Sequence, residues 1–219
     1  MKPIFLRELR ISLRTGGGFG PALVFFAAFA LLVPFGIGPE IVNYQRIAPG
    51  FVWVGALLAC LLSHDAILNR DFEDGTLRRL TLSPIPLEAV IIAKTAAHWS
   101  IICLPLCLIS PVIGLLFSLD FTAGLAIALT LFLGTPAISA IAVFGAALTL
   151  GLNRGELLSL VLVIPACVPT LILGSMTTFS IATGLPSINQ LAILTGLSLA
   201  VLALLPFAAS YLLRQNLNR

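Results

Sequence analysis

Charge is scarce in this sequence. Only 10% of its 219 residues are Asp, Glu, Lys or Arg, whereas 59% are hydrophobic; soluble domains carry about 25% charged and about 45–50% apolar residues. So few charged side chains cannot cover a water-soluble surface, so lipid must cover it instead. Lysine is rarer still, with Lys2 and Lys94 the whole complement. No G-x-x-x-x-G-K-[ST] string occurs, which removes the phosphate-cradling loop and leaves the chain unable to hydrolyse ATP by itself. H-E-x-x-H and G-x-S-x-G are also missing, and no enzyme activity is expected.

The four cysteines, Cys60, Cys103, Cys107 and Cys167, sit in apolar runs without the spaced polar framework of a disulfide-rich domain. They read as buried small hydrophobes. Without C-x-x-C-H the chain attaches no haem covalently. Acidic groups are missing from the middle of every apolar run: Glu8, Glu40, Asp65, Asp71, Glu73, Asp74, Glu88, Asp120 and Glu156 lie in the tail, in loops or at run edges. A carrier driven by protons or sodium would lack its coupling groups. His64 and His98 lie near run ends and read as polar anchors or interhelical hydrogen-bond partners.

What is present is a series of long apolar stretches. A spanning helix needs roughly 20 mostly apolar residues, and six stretches qualify: Pro21 to Ile37, Phe51 to Ser63, Ile91 to Leu116, Ala123 to Leu150, Leu157 to Thr178 and Gln190 to Leu213. The second is shortest and needs Ile47 and Ala48 on one side and Ala66 to Leu68 on the other. The runs are continuous and Leu- and Ala-rich, without the alternation of barrel strands. The expected fold is an all-α membrane protein of six transmembrane helices, forming one domain over residues 1–219.

The charge balance, formally +3, raises nucleic acid as a partner, but the basic residues occupy short loops instead of a patch. With a cytoplasmic N-terminus, Lys2, Arg7, Arg10, Arg14, Arg70, Arg78, Arg79, Lys94, Arg154, Arg214 and Arg219 all fall inside, and Arg46 alone falls outside. That bias places both termini of an inner-membrane protein in the cytoplasm. Before the first run, Arg7, Arg10 and Arg14 recur at helical spacing opposite Phe5, Leu6, Leu9 and Leu13, the pattern of an amphipathic interfacial helix. Gly16 to Gly18 then form an elbow, so that 1–18 is surface helix and turn. Ala28-Phe29-Ala30 resembles a signal-peptidase site but lies inside the run, which argues against cleavage.

The most informative segment is the cytoplasmic loop 64–90, and within it Asp71, Glu73, Asp74, Gly75, Thr76, Leu77, Arg78 and Arg79. Acids precede bases, and Asp74 and Arg78 stand at i, i+4, an order that suits both a side-chain pair and the helix macrodipole. Two geometries fit: one short surface helix, or a break in which Gly75 ends one helix and Thr76 starts the next. Either displays a compact charged corner, serving as a solvated connector or as a docking element.

Glu73-Asp74-Gly75-Thr76-Leu77, followed by Leu80, Pro84, Glu88 and Lys94, resembles the signature loop of ABC-2-type permeases. Gly38-Pro39-Glu40, Arg46-Ile47-Ala48-Pro49-Gly50, Ala93-Lys94, Ala97-His98-Trp99, Gly134-Thr135-Pro136, and Leu150-Gly151-Leu152 with Arg154-Gly155 extend the likeness over essentially the whole chain. On these residues the chain resembles the haem exporter protein B (CcmB) family of cytochrome c maturation. Arg78-Arg79 depart from the wider ABC-2 pattern, which commonly shows an acidic residue after Gly-Thr-Leu.

The resemblance implies an ABC-2-type permease subunit that binds no cofactor directly. Haem is then the transported or handled ligand, and ATP is used through a separate ATPase, CcmA. It implies CcmC, CcmD, the haem chaperone CcmE and a second copy of the chain as partners, with the 64–90 loop coupling ATP hydrolysis to release of haem-loaded CcmE. The alternative is a membrane scaffold that transports nothing, its helices held close by Ala142, Ala146 and Gly151.

Overall fold

A computed structural model describes residues 2–15, 19–37, 41–62, 67–152 and 155–217. Among these, α1 (Lys2–Thr15), α2 (Phe19–Ile37) and α3 (Ile41–Leu61) precede two short helices, α4 (Asn69–Glu73) and α5 (Thr76–Thr81). Then follow α6 (Leu87–His98), a π-helical turn (Trp99–Cys103), α7 (Leu104–Leu116), α8 (Phe121–Thr149), α9 (Gly155–Ala182) and α10 (Ile188–Leu217). No strand occurs among the described residues.

Among the described residues, four helical stretches are long and apolar enough to cross a membrane: Leu87–Leu116, Phe121–Thr149, Gly155–Ala182 and Ile188–Leu217. Two more apolar stretches are shorter, Gly20–Gly36 and Arg46–Leu61. The expected second run grows towards its N-terminus, where α3 begins at Ile41. α3 ends at Leu61; of the extension expected on that side, Ala66 lies outside the described residues and Leu68 is buried beside α4.

Helix α8 is the hub. Of its most apolar window 67% is buried by other parts of the chain, against 17% for α10, whose outer surface displays Leu199, Leu204, Phe207 and Tyr211. Small residues let α8 be crowded. A Cβ at Gly145 would lie 2.2 Å from Val163 of α9, and one at Gly134 would lie 2.6 Å from the Trp53 ring of α3. A Cβ at Gly174 of α9 would likewise run into the Trp53 ring. Trp53 is fully buried and donates its indole N–H to Thr178 Oγ1 at 3.1 Å, and Thr178 meets Thr130 of α8 at 2.6 Å. The amphipathic indole thus gains both close packing and a partner for its only polar atom.

The π-helical turn has a local cause. Pro105 has no N–H to return to the preceding turn, and one residue earlier the Leu104 N–H reaches back five residues to Trp99 O. Other helix prolines, Pro111, Pro136, Pro165, Pro169 and Pro206, stay inside continuous helices. Ala142 and Ala146 are buried as close-packing positions, but Gly151 sits in the α8–α9 turn at φ +79° and packs no helix pair.

Candidate functional site

The segment between α3 and α6 folds as a corner of two short helices at one end of the bundle. Gly75 adopts φ 72°, a left-handed conformation open to glycine at little cost, and this breaks what would otherwise be one helix. The break therefore wins over the single surface helix. Thr76 does not cap α5 with its side chain; instead its N–H donates to Asp74 Oδ1 at 2.9 Å. Asp74 forms no ion pair with Arg78. Hydrogen bonds from the Thr76 side chain and then its backbone hold the Asp74 carboxyl below its ordinary value.

The eight sequence-predicted residues divide into two groups. Glu73, Asp74, Arg78 and Arg79 are exposed, with Gly75 and Thr76 half-buried. Leu77 is fully buried, in an apolar cluster with Leu68, Leu87, Val90 and Leu150. Asp71 is also turned inwards, its side chain only 6% exposed, so it anchors the corner instead of being displayed.

What Asp71 meets was not legible in the residue pattern. The Lys94 ammonium of α6, 1% exposed, lies 2.6 Å from Asp71 Oδ2, 3.1 Å from Glu8 Oε1 and 3.0 Å from the carbonyl oxygen of Ile67. Arg7 of α1 spans both Asp71 oxygens, at 3.0 and 3.4 Å, and also touches Glu8. The hydrogen bond to Asp71 leads the causes that raise the Arg7 guanidinium pKa above its usual value. Two cations and two carboxylates thus join the N-terminal helix, the corner and α6. Each ammonium proton has an acceptor, which burial of a charge demands. The sequence signal was a lysine inside an apolar run and a lone glutamate on a basic helix.

A second polar junction lies in the first turn of α6. Glu88 Oε1 accepts from Ser210 Oγ at 3.0 Å and from Arg214 at 3.1 Å, fastening α6 to α10. The α8–α9 turn approaches the corner too: a Cβ at Gly151 would stand 3.6 Å from the Phe72 ring. A cleft of about 530 Å³ opens there, lined by Phe72, Glu73, Gly151 and Glu156. The corner is held on three sides while its charged tip faces outwards.

Deeper in the bundle, His98 Nδ1 contacts Ser139 Oγ at 3.1 Å, the interhelical hydrogen bond expected for it. Cys103 Sγ lies 3.3 Å from Ser139 Oγ and 3.1 Å from Cys60 Sγ, and all four cysteines are buried. Among the described residues no three His, Cys, Asp or Glu side chains converge on a metal position. His64, Gly16 to Gly18, Gly38-Pro39-Glu40 and Arg154 lie outside the described residues.

The model of the CcmB protein family matches residues 1–216. The chain belongs to the CcmB family. Heme exporter protein B of Paracoccus denitrificans is 51% identical over 218 residues, 100% of each chain. The proteins of the same name from Rhodobacter capsulatus and Escherichia coli K12 are 48% identical over 218 residues and 41% identical over 215, covering 100% and 98% of each chain respectively. The expected resemblance therefore holds over the full length. This CcmB family member is a membrane protein of a haem-transport family, and its charged corner lies within the matched region.

Proposed function

We propose that this chain is the permease subunit of an ABC-type complex in cytochrome c maturation. It crosses the bacterial inner membrane six times, the short α2 and α3 included, with both termini and the α4–α5 corner in the cytoplasm. A separate ATPase, CcmA, docks on the exposed Glu73, Asp74, Arg78 and Arg79. Haem is handled but not held as a resident cofactor, in company with CcmC, CcmD and the chaperone CcmE, and no enzymatic step occurs in this chain. Lipid or a second copy covers the outer faces of α9 and α10.

The observation that carries this reading is the join of Asp71 to Lys94. A docking tip transmits force only if its base is fixed to a membrane helix, and here an inward carboxylate ties the base to α6. Four of the tip's charges remain exposed for a partner. Of the small residues invoked for a scaffold, by contrast, Ala142 and Ala146 are already buried within the chain.

The test is ATPase activity of the co-purified complex in nanodiscs, with and without haem-loaded chaperone, for wild type and for the Glu73→Lys, Asp74→Lys double variant. Chaperone-stimulated turnover in wild type alone supports coupling through the corner. Equal turnover and equal chaperone release in both would make the corner a passive connector and favour the scaffold.

A further inference from the structure

The motif Arg46-Ile47-Ala48-Pro49-Gly50 is left without a role by the coupling reading. It lies in the N-terminal half of α3, with Arg46 about 22 Å along the helix from Leu61 at 1.5 Å per residue. Ala48 is fully buried, while Arg46, Ile47, Pro49 and Gly50 line an open groove of about 490 Å³ between α3 and α9. Its far wall is Leu171, Met176 and Phe179 of α9, with Phe51 beside the motif. That volume lies within the range of small-molecule sites, roughly 300–1,000 Å³.

The groove is mostly apolar along its walls, with Ser175 and Ser180 of α9 its polar side chains, and Arg46 is the one cation in its lining. Arg46 is exposed, and among the described residues no carboxylate pairs with it. A second apolar groove, between α6, α8 and α10 at Trp99, Phe132 and Pro206, has no charged side chain in its lining and suits only hydrocarbon. The Arg46 groove asks for a ligand with a broad apolar body and an anionic edge. A guanidinium fork matches a carboxylate in two hydrogen bonds, which favours a carboxylate edge over a neutral one.

We infer that this groove is a haem site on the face opposite the ATPase corner, with the porphyrin plane against Phe51, Met176 and Phe179 and its carboxylates at Arg46. The inference rests on the reading of haem as the handled ligand. Met176 also places a thioether in the wall, a donor of the kind that ligates haem iron. Gly50 allows a block: a Cβ there meets no atom within 4 Å, so a side chain added at this position starts into open space.

The experiment is a haemin titration of the full chain in nanodiscs, without nucleotide, followed by Soret absorbance against empty nanodiscs. Haemin dimethyl ester, which lacks the carboxylates, is run in parallel. Wild type should give a saturable Soret shift with haemin. Arg46→Gln should weaken it about tenfold, Arg46→Lys should restore most of it, and Gly50→Phe should abolish it. The ester should bind wild type and Arg46→Gln alike. Equal haemin binding by all four proteins, or a groove held by phospholipid that haemin does not displace, overturns the site. Because ATP is absent, such a failure leaves corner-dependent ATPase coupling untouched, and a failure of coupling leaves the titration standing.

Discussion

The Lys94 ammonium and the Asp71 carboxylate face each other at 2.6 Å, with side chains 1% and 6% exposed. They come from different elements, one from a long apolar helix and one from a helix of five residues. An ion pair so enclosed is rarely worth more than apolar packing of the same volume, but halving it is expensive. Its value here is positional.

Replacing Lys94 by Met strips Asp71 of its closest partner but leaves Arg7 in place. The expected loss is about 3 kcal/mol, the low end for breaking a buried pair. Asp71→Asn should cost a similar amount, and the double variant should cost clearly less than the sum, since the two residues act as one unit. Denaturant unfolding of all four proteins in one detergent gives the cycle. Strict additivity would show that the pair contributes nothing as a pair.

Arg7 is 36% exposed on its side chain, so its hold on Asp71 is screened. Arg7→Ala should destabilise the fold by no more than about 1 kcal/mol. It should nevertheless free α1 from the bundle. Faster amide exchange across Ile4 to Ile11, with α6 unchanged, is the expected result, and unchanged exchange in α1 would count against the tie.

Two glycine-to-alanine changes should move in opposite directions. At Gly174 the new methyl would lie 2.1 Å from the Trp53 ring, whereas at Gly196 it meets nothing within 4 Å. Gly174→Ala should cost about 1–3 kcal/mol or more through overpacking. Gly196→Ala, inside α10, should gain up to about 1 kcal/mol from helix propensity. Thermal melts of the two variants make the comparison.

Asp120 caps α8, accepting from the Ala123 N–H at 3.2 Å, and hydrogen bonds led by the Thr122 hydroxyl lower its carboxyl pKa. A depressed folded value means the ionised form favours folding. That contribution is complete above the unfolded value near 3.8 and fades as pH falls through the lower folded one. Asp120→Ala should therefore lower the melting temperature at neutral pH and converge with wild type in strong acid. Asp120→Asn should keep most of the cap.

The helices were legible because a long apolar run in a chain this poor in charge has few other places to go. Boundaries were harder at α3, where Tyr44, Gln45 and Arg46 dilute the run yet remain helical. At the corner, Gly75 signalled a break, but its meaning depended on whether Asp74 paired with Arg78 or turned back onto Thr76, and spacing permits both. The buried charges were least legible. Lys94 was counted among the loop cations, and no local pattern links position 94 to positions 71 and 8. That contact exists only once α1, α4 and α6 are packed together.

Lys94 and Arg7 have one more consequence, and it concerns time. While the chain enters the membrane segment by segment, each is a free positive charge that helps to keep its end of a helix on the basic face. Once α1, α4 and α6 close on one another, Asp71 and Glu8 neutralise both. The charge pattern that orients the chain at birth is thus not the one it shows as a finished protein, whose exposed basic rim is left to residues such as Arg10 and Arg70.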